Sequence, residues 1–121
     1  MREIVEQFVS TLEARDWDAW SSLLHPDVVY EAPQTHERVA GREAYLRVNR
    51  EWAGDWHLTL RRAHADQDGG VAWIDATLDG EPMTGVVWLS FDADRLVTSV
   101  TDFWPEDYPA PPERAHLVDG A

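Results

Sequence analysis

The chain has 121 residues, 44% of them hydrophobic, with 23 acidic side chains against ten arginines and no lysine, a formal net charge of −13. That length suits one domain burying roughly 65% of its unfolded surface, and a field of that sign disfavours nucleic acid and anionic membranes as partners. Without cysteine there is no disulfide or thiolate chemistry. No apolar run nears the ~20 residues of a membrane span, and the start, MREIVEQF, lacks a signal-peptide core, so a cytoplasmic protein is expected.

From the start, Ile4, Val5, Phe8, Val9 and Leu12 recur at helical spacing and predict an amphipathic helix over residues 2–14. Arg15-Asp16 breaks it. Asp16 is a ready N-cap for a short second helix carrying Trp17, Trp20, Leu23 and Leu24, which His25-Pro26 stops. Residues 28–32 read as a short strand and 33–40 as a polar loop. Gly41 opens a third helix, with Tyr45, Val48 and Trp52 on one side and Ala53-Gly54 at its end.

A strand over 56–65 and a turn over 66–70 lead into three consecutive strands: VAWIDATL, PMTGVVWLSF and LVTSVTDFW. Asp79-Gly80 and the run from Asp92 to Arg95 join them. The domain is expected to end at Trp104. Beyond it, Pro105, Pro109, Pro111 and Pro112 predict an extended tail over 105–121, whose Tyr108 and Leu117 either lie against the body or fray.

Helices first and strands afterwards imply an α+β fold, with three helices on one side of an antiparallel sheet. On the middle strand Gly85, Val87, Leu89 and Phe91 share one face, while Val86 and Trp88 share the other; on the last, Val100 and Trp104 oppose Val97 and Phe103. With both faces apolar, both should be covered. The helices serve one. A second copy, in a symmetric homodimer, or the tail serves the other.

The order of elements resembles the nuclear transport factor 2-like superfamily, which includes ketosteroid isomerases, SnoaL-like polyketide cyclases and limonene-type epoxide hydrolases. The phrases FVSTLEARDWDAWSSLLHPDVVY, GREAYLRV and DRLVTSVTDFWPEDY carry the likeness, over about residues 2–107. It implies a cone-shaped, curved sheet closed by the helices around a pocket. Where ketosteroid isomerase has its oxyanion-hole tyrosine, general base and second acid, this chain has Phe8, Ala32 and Val87, so that route to isomerisation is not expected. The epoxide hydrolase pattern fits better: its two aspartates correspond to Asp75 and Asp102, although its arginine has become Trp73. SnoaL-like cyclases use a pocket acid, sometimes with a histidine, for which His57 and His64 are the candidates.

Asp75 and Asp102 stand in otherwise apolar strands. If the first turn is Asp79-Gly80-Glu81-Pro82, Asp75 falls opposite Val87; if the second is Asp92 to Arg95, Asp102 falls opposite Gly85. Both acids then flank the middle strand on one face, roughly 10 Å apart. One acid could then protonate a substrate oxygen while the other activates water. A five-residue turn over 66–70 puts Arg61 beside Asp75, where it could replace the missing cation; a one-residue slip would present Leu60 instead.

The expected pocket is lined by Phe8, Leu12, Trp20, Tyr30, Ala32, Tyr45, Val48, Trp52, Trp73, Gly85, Val87, Val100 and Trp104. The histidines show no metal-ligand spacing, so neither metal nor cofactor is expected. The reading is an acid/base enzyme for a small hydrophobic carbonyl or epoxide compound, worked by Asp102, Asp75 and Arg61. The alternatives are a non-catalytic carrier or sensor of apolar ligands, and a structural dimer module whose pocket is filled.

Overall fold

The computed structural model describes residues 1–120. Helix α1 (Arg2–Glu13) buries Ile4, Val5, Phe8, Val9 and Leu12, the stripe its periodicity predicts. Arg15 then adopts a left-handed backbone (φ 56), and the Asp16 carboxylate accepts from Ala19 N at 3.2 Å to start α2 (Trp17–Ser22).

The second helix ends before Leu24, which belongs instead to β1 (Leu24–Ala32) and pairs with Val97. A fully buried leucine bonded into the sheet outweighs its helical spacing. The ladder is irregular between Leu24 and Val29, around Pro26, which has no N–H to donate. The expected polar loop contains a strand, β2 (Glu37–Ala40), antiparallel to β1. Helix α3 (Arg42–Arg50) follows and buries Tyr45.

Strands β3 (Trp56–Ala65), β4 (Gly69–Leu78), β5 (Glu81–Phe91) and β6 (Val97–Phe103) complete one six-stranded sheet in the order β2-β1-β6-β5-β4-β3. All neighbours are antiparallel except β1 and β6, which run parallel, so the sheet is mixed. The helices lie on one face, α1 against β3 and β4 and α3 against β1 and β2. Beneath them are Ala72, Ile74, Val87, Leu89, Phe91, Val97 and Val100, all buried. Val97 is therefore an inner residue, contrary to the alternation read from sequence. An irregularity beside Ser90 and Phe91 leaves Thr98 unpaired and shifts the phase.

The tail also departs from expectation. Residues Pro112–Leu117 form a 3-10 helix, started by a proline whose fixed φ suits a first helical position. Of the two alternatives for Tyr108 and Leu117, packing on the body is not observed: both are exposed.

Candidate functional site

Two turns decide which side chains meet. The β4–β5 hairpin closes in two residues: Asp79 (φ 51) and Gly80 (φ 83) supply the paired positive φ that such a turn needs, and Leu78 faces Glu81. Asp75 accordingly faces Thr84, three places from the expected Val87. An odd slip exchanges the faces of a strand. At the other hairpin Asp102 faces Val87, two places from the expected Gly85, and an even slip keeps the face. The two acids are on opposite sides of the sheet, and within one chain they cannot act on one substrate.

Asp75 is on the outer side, half exposed, with Arg61 Nε 3.3 Å from its Oδ2. The register of β3 shifts between Leu60 and Arg62, and this bulge turns Arg61 outward. Its guanidinium stands 4.2 Å above the Trp73 ring, while the Trp73 indole N–H donates to Thr84 Oγ1 at 2.8 Å. The expected contact between Arg61 and Asp75 therefore forms, but away from the helices. Trp73 joins it there instead of lining a pocket. Trp52, just past α3, is also exposed.

Asp102 is on the inner side, on the strand that also carries the buried Val97 and Val100. Although some solvent still reaches it, burial pushes its pKa up to about 6, against the pull of hydrogen bonding from Tyr30 and Trp104. Tyr30 comes from β1, level with Val100. Burial, and then the Asp102 charge, raises the Tyr30 hydroxyl far above its ordinary range, and the same two causes raise Tyr45. Both tyrosines therefore stay neutral donors near neutral pH. Their rings stack at 4.9 Å and 20°, and Tyr45 leans on Trp20 at 5.0 Å.

Of the expected lining, Phe8, Leu12, Trp20, Tyr45, Gly85, Val87 and Val100 are buried around this site or the core behind it, and Tyr30, Ala32, Val48 and Trp104 are half-buried. The Trp20 indole N–H is fully enclosed, with no partner among the described residues. Gly85 leaves no open floor, because the Trp104 ring fills the space. His57 and His64 are exposed; His57 bonds Glu13 and Asp55, each at 3.0 Å. A surface hollow of about 660 Å³ opens between α1 and β3, and another of about 480 Å³ beside Trp88; neither takes in Asp102. No three His, Asp or Glu side chains converge as metal ligands among the described residues.

Sequence reasoning placed Tyr30 and Tyr45 only as lining and missed their bearing on Asp102. The signal was available: aromatic residues with polar tips, within one strand and on the inner side of a helix.

The SnoaL-like domain model matches residues 5–100. A crystal structure from Kribbella flavida, described as a "putative ketosteroid isomerase", is 46% identical with a TM-score of 0.94, over 99% of this chain and 88% of that one. An NTF2-like protein of unknown function from Burkholderia xenovorans is 21% identical with a TM-score of 0.80, over 99% and 94%. An epoxide hydrolase from M. tuberculosis is 20% identical with a TM-score of 0.73, over 86% and 81%. The last two are likenesses of fold alone. No curated protein matches the chain. The match over most of its length, with the 46% identity to the Kribbella protein, places this chain in the SnoaL-like domain family, with the nuclear transport factor 2-like fold.

Proposed function

We propose that this protein is an acid/base enzyme, working without a cofactor, that moves a proton beside the carbonyl group of a small hydrophobic compound. Asp102 takes and returns the proton. One observation carries the reading: a carboxyl whose pKa is raised to about 6 stands beside two tyrosine hydroxyls that remain protonated. A group poised near neutrality is an effective base, and neutral donors can stabilise the charge it creates.

In the proposed reaction the Asp102 carboxylate removes a hydrogen next to the carbonyl as a proton. The C–H electron pair moves through the new C=C bond onto the oxygen, which accepts hydrogen bonds from Tyr30 and Tyr45. Where the compound carries a C=C bond one carbon further on, the enolate extends over it, and return of the proton to the far carbon, with the double bond moved next to the carbonyl, gives an isomer. Attack of the enolate carbon on a second carbonyl of the same molecule closes a ring, and Asp102 gives its proton to the new alkoxide. Epoxide opening by two acids is disfavoured, because Asp75 is on the other face.

The test is hydrogen–deuterium exchange of small enolisable ketones in D₂O, followed by NMR. The wild type should exchange the hydrogens beside the carbonyl faster than buffer alone, Asp75→Asn should match it, and Asp102→Asn should lose the acceleration. Exchange that survives Asp102→Asn would refute the assignment. Ligand-dependent rises in Tm with no exchange would favour a carrier of apolar ligands.

We also propose that the outer sheet face meets a second copy of the chain. Trp73, Trp88 and Phe103 are exposed there, and Arg61, Arg62 and Asp75 bring both charge signs to a chain otherwise rich in acid. Such a patch can complement itself about a two-fold axis. Trp88→Asp should convert a dimer to a monomer in sedimentation velocity; a wild-type monomer at high protein concentration would exclude the interface.

A further inference from the structure

We infer that Trp104 is a positioning residue for Asp102, seated on the bare backbone of Gly85 so that its indole N–H bears on the carboxylate. The inference rests on the reading of Asp102 as the acid/base group.

Trp104 follows the last residue of β6, so the strand ladder does not hold it. Two other contacts do. Its backbone N–H donates to Gln34 Oε1 at 2.6 Å, which ties it to the turn between β1 and β2. Its benzo ring lies over Gly85: a Cβ added there would meet Cδ2 and Cε3 at 2.5 Å and Cζ3 at 2.7 Å. Gly85 is in the middle of β5 and is not among the glycines with positive φ. No turn requires a glycine at this point, and an interior strand glycine gives up side-chain packing and chain entropy. Room for the Trp104 ring is the reason the geometry supplies.

With the benzo edge on Gly85, the indole N–H remains for Asp102, two residues earlier on the same face. The groups that act on Asp102 are Tyr30 from β1 and Trp104; the Asp102 charge in turn acts on Tyr45 from α3, and Glu37 acts on Tyr30 from β2. Trp104 favours the charged form against burial. Without its N–H the carboxyl should hold its proton to higher pH, and less of it would be a base near neutrality.

The experiment is an NMR titration of the Asp102 carboxyl carbon in the wild type, Trp104→Phe, Gly85→Ala and Gln34→Ala, beside the pH profile of ketone exchange. Phenylalanine keeps an aromatic ring against Gly85 and removes the N–H together with part of the indole's bulk. It should raise the Asp102 midpoint by roughly half a unit to one unit, and at pH 6 slow exchange by about threefold to tenfold. Gly85→Ala, which lifts the ring, should shift the midpoint the same way, and Gln34→Ala less so. Combining Gly85→Ala with Trp104→Phe should add little to either. An unmoved midpoint in folded Trp104→Phe overturns the inference. A midpoint that moves in a protein with no exchange activity upholds the positioning and rejects the acid/base reading.

Discussion

The two strand aspartates are the same side chain in two surroundings. Asp75, on the outer face, is half exposed and has a guanidinium 3.3 Å away. Asp102, under the helices, has neutral donors and no cation beside it among the described residues, and its carboxyl is pushed up to about 6. A charge in water with a partner needs little from the protein. One withdrawn from water and left to neutral donors becomes easy to protonate, which chemistry near neutral pH requires. The face of the sheet decides between these outcomes.

The largest difference should be in turnover. Asp102→Asn should lower ketone exchange by on the order of 10² to 10⁴-fold, the usual reach of a positioned acid or base, while Asp75→Asn stays within about a factor of two. Equal losses from the two variants would break the contrast.

Stability should separate wild type from Asp102→Asn in a pH-dependent way. The folded pKa of Asp102 exceeds that of an unfolded aspartate, about 3.9, so the folded state binds the proton more tightly. Below that value both states are protonated and there is no penalty. The penalty grows as pH rises and is complete above about 6. From pH 4 to pH 7, Asp102→Asn should therefore gain on the wild type by on the order of 2 kcal/mol in urea unfolding.

A smaller effect belongs to the outer cluster. Trp73→Phe removes the N–H that donates to Thr84 and weakens the seat of Arg61. The loss should be about 1 kcal/mol, with no change in the Asp102 midpoint. The smallest concerns the clasp between α1 and β3. Hydrogen bonding to Glu13, and next the charge of Asp55, raises the pKa of the exposed His57. Its stabilising effect is complete below the unfolded value of about 6.5 and is lost as pH rises through the raised value. Any Tm deficit of His57→Gln should therefore be present at pH 6 and shrink in alkali.

Much of the architecture is legible in the sequence because it follows local periodicity. The stripe from Ile4 to Leu12 and the strand from Trp56 to Ala65 form where spacing puts them. The departures come from partners distant in the chain. Leu24 is a strand residue because Val97 awaits it, and Glu37–Ala40, with a single apolar side chain of size, becomes a strand only by pairing with β1. At the site, the assignment of Asp75 turned on its partner across the hairpin. The two-residue turn at Asp79-Gly80 sets it against Thr84 and sends it outward, whereas a partner one or three places on, such as Val87, would send it inward. The face of Asp102 survived its own slip only because that slip was even. Neither the stacked tyrosines nor the ring on Gly85 leaves a periodic trace, since both join segments far apart in the chain.

Titration of the wild-type Asp102 carboxyl by NMR, assigned by its loss in Asp102→Asn, puts the contrast between the two faces to proof. A midpoint near 6 is expected. A midpoint near 4, the range of an aspartate free in water, would mean that the inner face does not withdraw this group from solvent, and the proposed chemistry would have no base.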